Sequence, residues 1–435
     1  MASIRYKIEK EIPVLAETDV LVVGGGPGGL GAAVMAARQG VKVVLTERYG
    51  CMGGMASFGE VTPFMPNHVE NATLDRPVFV EWCRKLWEYL PEKDRNERPF
   101  DEKIVPGTRI SKDAAMLAME DLLLEAGVKI LYHHTLVDVI KDGNRIEAAV
   151  FQSKSGLGAI RAKIYIDSTG DGDLAALSGC SFEFGNEDGF CQPMTTCFKL
   201  GGVDCSRMPD RAAINALYDK AKADGEIHCV RENVLWFPTD EEDVIHFNTT
   251  RIVKKSGVNG TDLSEAEIEG RRQIREYLKF LRKHVPGFEQ ARLHSIAHHI
   301  GIRETRRVRG IVYQTTDDFL RAAKYEDGVV KASYPIDIHN PSGSGTIIKT
   351  LKPNDWYELR YGTLVPEGSG NLLMGCRAIS VDHALHSSSR VMPPVCSIGQ
   401  AAGMAAVMCI RKGCAPAELS GVEVRGNLAK AGARL

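Results

Sequence analysis

Glycines at three fixed points decide what the start of this chain can fold into. Val20 to Val23 is an apolar run long enough for one buried parallel strand. It stops at Gly24-Gly25-Gly26-Pro27-Gly28-Gly29, which fits G-x-G-x-x-G through Gly24, Gly26 and Gly29. Good helix formers follow from Leu30 to Arg38, with Gly40 as the stop, and Val41 to Leu45 reads as a second strand ending at Glu47. Gly24 permits the tight turn, Gly26 lets backbone approach a diphosphate, and Gly29 lets helix and strand pack closely. The orphan N–H groups and positive end of the helix then face the phosphates, and an acid at Glu47 accepts hydrogen bonds from a ribose. Strand, helix, strand and acid in register predict a dinucleotide site made by this loop, Pro27 and Gly28 included.

The choice of dinucleotide rests on the next segment. Arg48 to Ser57 is a second glycine-rich loop where a nicotinamide domain would enter its next crossover helix. The pattern E-R-x-G-x-x-G-G-M-A-S resembles the FAD-dependent oxidoreductases of the glutathione-reductase and fumarate-reductase flavoprotein clan. The resemblance implies that Arg48, Gly53, Gly54 and Met55 lie along the cofactor, FAD. Further on, a return strand ends in Thr169-Gly170-Asp171-Gly172-Asp173, which the family brings to the cofactor, and the position of Val137 meets adenine through its backbone. The closing stretch from Gly370 to Gly413 is similar to the family's last flavin motif, implying roles for Gly375, Arg377 and Val391. Cys376 departs from the usual A-G-R order there. The expected fold is α/β, a Rossmann-like FAD-binding domain of glutathione-reductase type with an inserted β-meander and a second α+β substrate or cap domain. The expected division is 1–180 for the first part of the FAD domain, interrupted by an insertion over 60–110, then 181–362 for the cap and 363–435 for the closing segment.

Between these motifs the chain is read from periodicity. Asp113 to Ala126 has helical spacing; Val128 to Leu131, Val137 to Ile140, Ile146 to Gln152, Gly158 to Ala162 and Ala162 to Ile166 read as short strands. In the insertion, Phe79, Trp82, Trp87 and Tyr89 are spaced for a helix packing inward. Asp210 to Asp224 is a helix, and a longer one is expected over Ser264 to His284, opened by a Ser264-x-x-Glu267 capping box. Val395 to Ile410 is a small-residue helix.

With 435 residues, 44% hydrophobic and 25% charged, the composition is globular, and a formal charge of -2 argues against nucleic acid as a partner. No apolar run approaches the ~20 residues of a membrane span; Ala401 to Ile410 reads as a buried helix. Eleven cysteines without a C-x-x-C pair, and an N-terminal stretch to Glu17 lacking a signal-type core, suggest reduced thiols and a cytoplasmic setting. No metal is expected: His383 and His386 share a face but have no carboxylates at ligand spacing. Cys51 lacks the second cysteine of a flavin-coupled disulfide and reads as a packing residue. A homo-oligomer is compatible with the sequence.

Chemistry is expected from histidines and arginines outside the cofactor motifs. The resemblance implies that HHIGIRETRRVRG, YPIDIH and SVDHALHSSSRVMP converge on the open face of the flavin, which nominates Arg303, His339, His383, His386 and Arg390. A guanidinium clamps an oxyanion, and a histidine exchanges the proton that accompanies hydride. Arg306, Arg307 and Arg309 read as a solvated or ion-paired helix face, and His298 and His299, on a helix, cannot both reach one site. The functional expectation is an FAD-dependent oxidoreductase, dehydrogenase or reductase, moving hydride between a small organic substrate and flavin, with a second electron donor or acceptor. A flavin monooxygenase and a non-catalytic flavin-binding redox module are the alternatives.

Overall fold

The computed structural model describes residues 9–101 and 111–435. The end of the insertion expected over 60–110, and the first eight residues of the N-terminal stretch, lie outside them. Strand β1 (Val14–Val23) runs into helix α1 (Pro27–Arg38) and strand β2 (Val43–Thr46), with Val20 to Val23 paired in parallel register to Val43 to Thr46. Helix α2 (Val78–Glu88) buries Phe79 and Trp82, whereas Trp87 is only half-buried and Tyr89 is exposed as the helix cap. The inward stripe thus covers fewer aromatics than their spacing suggested, because the helix stops at Glu88.

Helix α3 (Lys112–Glu125) leads to strand β3 (Lys129–Leu131), which pairs with β2. Strands β4 (Thr135–Asp142), β5 (Arg145–Ser153) and β6 (Gly156–Asp167) form the meander. Two strands expected over Gly158–Ala162 and Ala162–Ile166 are one. β6 is long because it serves three neighbours: its start pairs antiparallel with β5, its end pairs parallel with the strand Leu372–Met374, and β1 pairs parallel along most of its length. The meander is therefore continuous with the parallel sheet rather than a separate layer.

The middle of the chain forms a second sheet. Strand β7 (Phe198–Gly201), helix α4 (Arg211–Ala223), strands β8 (Trp236–Pro238) and β9 (Ile245–Phe247), helix α5 (Gly260–His284) and strand β10 (Arg292–Ile296) surround their own apolar core. All strand pairs are antiparallel, in the order β8-β9-β7-β10. Stacked Tyr218 and Tyr277 share a hydroxyl hydrogen bond of 3.0 Å across α4 and α5. Helix α5 starts before Ser264: Asn259 Oδ1 accepts from Asp262 N at 3.0 Å and caps it, while Ser264 hydrogen-bonds inside the helix to Gly260 O. A hairpin of β11 (Ile336–His339) and β12 (Thr346–Lys349) follows.

The chain then returns to the first sheet. Strand β13 (Leu372–Met374) pairs in parallel with the end of β6, and short helix α6 (His383–Ser389) leads into helix α7 (Met392–Lys412). By length and composition α7 could cross a membrane, but it is mostly buried inside the protein. It lies across α1 at backbone distance. A Cβ on Gly399 or Gly403 would collide with the Gly28 or Ala32 carbonyl, and one on Gly31 with the Cys396 carbonyl. Small residues on both helices are thus a packing requirement.

Candidate active site

The sheet and helices leave a cavity of about 500 Å³ between the parallel sheet's carboxyl ends and the second sheet. This is where open α/β sheets bind ligands. One end is made of backbone. Gly24 has φ +109°, a left-handed conformation that favours glycine, and a Cβ there would strike the Ser168–Thr169 backbone. Gly26 faces open space, and Gly26, Pro27 and Gly28 line the wall at the start of α1, whose first N–H groups have no partner within the helix.

Glu47 lines the same wall. Its Oε2 accepts from Gly25 N at 2.7 Å and its Oε1 from Tyr49 N at 2.9 Å. Burial raises its carboxyl above the ordinary value against the pull of these two N–H groups. Asp171 accepts from Arg377 Nη2 at 2.8 Å and from Thr305 Oγ1 at 2.9 Å. Arg48, Gly54, Met55, Thr169, Gly170, Asp171, Arg377 and Val391 all line the cavity.

These residues fit FAD. The loop Gly24–Gly28 leaves open space at Gly26 for a diphosphate to approach the backbone, and the Glu47 carboxylate stands beside it for ribose hydroxyls. Three expected cofactor residues serve the wall from behind. Gly29 packs on the Gly24 carbonyl, Gly53 N donates to Gly25 O at 2.9 Å, and Gly375 packs against Gly28. Val137 is half exposed on β4 and is not on the cavity wall; the backbone that meets the Glu47 segment is that of His133 and His134, through Tyr49 O and Glu47 O.

The other end is made of side chains. Arg303, Arg390 and His339 line it, together with Asp337 and Tyr334 of the same YPIDIH stretch and with Arg231, to which no motif points. Arg303 Nη1 donates to the Pro193 carbonyl at 2.6 Å, and Arg390 Nη2 to Gln192 Oε1 at 3.3 Å. Burial, with the charges of Arg390 and Arg231, pushes the Arg303 guanidinium down to about 9.

His339 Nδ1 lies 3.0 Å from Arg251 Nη2. A guanidinium only donates, so Nδ1 accepts and Nε2 carries the hydrogen, facing Asp337 Oδ2 at 3.4 Å. Burial and the Arg303 charge push His339 down to about 3, which keeps it neutral. Burial works to raise the Asp337 carboxyl, but the hydrogen bond from His339 and the charges of Arg390 and Arg303 hold it well below the carboxylate range. Tyr334 Oη donates to Asp337 Oδ2 at 3.2 Å, and burial, then the Asp337 charge, pushes the phenol up to about 12. YPIDIH carried the signal for Tyr334, three residues before Asp337, but a tyrosine in an apolar run reads first as core.

Two expected catalytic histidines are elsewhere. His386 is fully buried on α6, away from the wall, with neither ring nitrogen bonded among the described residues. His383 holds Glu304 Oε1 through Nδ1 at 2.8 Å, in a network with Arg307 rather than on the wall. The resemblance aimed both at the flavin, but α6 spans only His383–Ser389, and the chain reaches the wall only where it ends, from Arg390 onward.

Arg306 to Val308 is a strand, not a helix. Arg306 pairs with Asp173 at 2.8 Å, Arg307 with Glu304, and Arg309 with Glu183 at 2.9 Å, so the ion-paired character holds. His298 and His299 lie in irregular chain, and His299 alone of the two reaches the wall.

Thiamine thiazole synthase from Methanococcus maripaludis (strain C5) is 35% identical over 164 residues, 35% of this chain and 56% of that protein. Digeranylgeranylglycerophospholipid reductase from Picrophilus torridus is 29% identical over 162 residues, 35% of this chain and 39% of that protein. The chain thus spans 56% and 39% of the length of these two curated relatives. A geranylgeranyl bacteriochlorophyll reductase-like protein from Thermoplasma acidophilum superimposes with a TM-score of 0.47 at 13% identity, over 96% of this chain and 84% of that one. Residues 19–428, which contain the whole cavity wall, match the family described as FAD dependent oxidoreductase, and the chain belongs to that family.

Proposed function

We propose that this enzyme is a dehydrogenase or reductase that moves hydride between flavin and a small organic molecule held by Arg303, Arg390 and Tyr334. The observation that carries the reading is the shared cavity, lined at one end by the glycine cradle and at the other by these three side chains with Asp337 and His339. Bound FAD supplies the hydride chemistry. Gly24, Gly26, Gly28, Glu47, Arg48 and Asp171 are the residues that would hold it.

The chain's own part is orientation and proton transfer. Arg303 and Arg390 present guanidinium donors that fix an oxygen-bearing group. Tyr334 exchanges the proton at its hydroxyl oxygen, with the ionised Asp337 as its hydrogen-bond acceptor. His339, neutral and fixed in one tautomer by Arg251, orients Asp337 and takes no proton itself. That the Picrophilus torridus relative is named a reductase supports the redox reading. The test is anaerobic: FAD-loaded protein is exposed to hydroxy acids, amines and sugars, and dithionite-reduced protein to enoates. Bleaching or reoxidation by one class is expected; a yellow protein indifferent to every class would end the proposal.

A further inference from the structure

The substrate end carries more positive charge than its own carboxylates neutralise. Arg251, Arg231, Arg303 and Arg390 stand there against Glu232 and Asp337, and Arg251 and Glu232 already pair at 2.9 Å. Arg303 has the Pro193 carbonyl, Arg390 the Gln192 amide at 3.3 Å with its Nε unpartnered, and Arg231 the Asn233 amide at 3.1 Å. None of these three makes a carboxylate ion pair among the described residues, while Asp337 is engaged by Tyr334 and His339. At the cofactor end the count balances, with Arg48 and Arg377 facing Glu47 and Asp171. Three guanidinium groups whose bonds are to neutral oxygens leave an excess of positive charge on this wall, which an anion in the cavity would complete. Beside them the wall is apolar: Leu235, Phe237, Ile348, Val61 and Met65. Ile348 is 62% exposed on the β11–β12 hairpin, a large hydrophobic side chain beside the arginines.

We propose that this end binds a small organic carboxylate with an apolar body, its carboxylate on Arg231, Arg303 and Arg390 and its body on Leu235, Phe237 and Ile348. This rests on the reading that FAD occupies the glycine end. It adds Arg231, from the second sheet's side of the cavity, to the binding groups, so the specificity is divided between both walls. An inorganic anion would satisfy the charge and leave the apolar wall unused.

Benzoate is the probe, titrated into the FAD-loaded full chain and followed by the visible flavin spectrum and by melting temperature. Saturable binding is expected, with benzamide, acetate and sulfate each at least tenfold weaker. Arg231→Met should weaken benzoate at least tenfold while FAD content stays unchanged, and Phe237→Ala should weaken benzoate but not acetate. Benzoate should raise the melting temperature of the wild type and not of Arg231→Met. Equal binding of benzamide or of sulfate would overturn the proposal, as would loss of FAD in parallel with Arg231. Arg303→Met repeats the test if Arg231→Met does not fold, and Arg303→Lys, which keeps the charge, should retain part of the binding. A chain that takes up no FAD overturns the functional reading as well; a yellow chain blind to benzoate overturns only this one.

Discussion

The two ends of the cavity are built from different materials. The cofactor end is backbone: a left-handed Gly24, the open N-terminus of α1, and α7 crossing α1 on glycines, with its charges balanced among Glu47, Arg48, Asp171 and Arg377. The substrate end is side chain: arginines from separate segments, a tyrosine, and an aspartate held by a histidine. Backbone recognises the diphosphate that dinucleotide cofactors share, whereas side chains supply charge and protons at one place. At the first end the close backbone approaches leave almost no room for a change of shape.

The sharpest way to break this contrast is Tyr334→Phe. Removing one hydroxyl should leave FAD content and folding intact and slow substrate-driven flavin reduction by about 10³-fold, read by stopped-flow absorbance. An unchanged rate would move the proton elsewhere. Next is Gly399→Ala, which forces a methyl against the Gly28 carbonyl. A loss of about 3 kcal/mol in denaturant unfolding, with release of FAD, is expected; a stable yellow protein would contradict the close crossing. Glu47→Gln keeps the shape but not the charge that Gly25 and Tyr49 N–H groups bind, and should weaken FAD by about 2 kcal/mol in reconstitution titrations.

Legibility in the sequence divides along the same line. Gly24, Gly26 and Glu47 announce themselves because a backbone site needs glycine at set spacing in contiguous chain, and the parallel strands around them follow from apolar runs. The substrate end is assembled from separate segments spread between Arg231 and Arg390, so no local spacing relates Arg231 to Arg390 or Tyr334 to Arg303. Arg303, His339 and Arg390 are nominated by lying near motifs, and all three line the cavity. His383 and His386 were nominated for the same reason and point into packing instead, since proximity in sequence carries no direction. β6 was split in two because a strand with different neighbours at each half alternates unevenly.

A smaller effect separates the two regions by pH. On the cofactor side burial pushes the Asp167 carboxyl up to about 6 and the Asp75 carboxyl up to about 7. Folded pKa values above the unfolded value mean that their contribution is present below about pH 4 and lost as pH rises through 6 to 7. On the substrate side burial pushes His246 down to about 4 and His339 down to about 3, so their contribution is present above about pH 6.5 and lost as pH falls toward those values. Between pH 7 and pH 5 amide exchange should therefore gain protection around β6 and lose it around β9 and β11, each by about 1–2 kcal/mol. Uniform change across both would erase the distinction. The smallest effect belongs to His386→Leu, which removes two unbonded buried nitrogens: stability within about 1 kcal/mol of wild type, or above it, and unaltered turnover are expected.

The most direct measurement is the structure of the FAD-loaded protein soaked with benzoate. The account predicts one FAD with its diphosphate at Gly24–Gly28 and its ring toward Val391, and the carboxylate on Arg303, Arg390 and Arg231. A diphosphate resting on those arginines, or a flavin ring turned away from Tyr334, would contradict it.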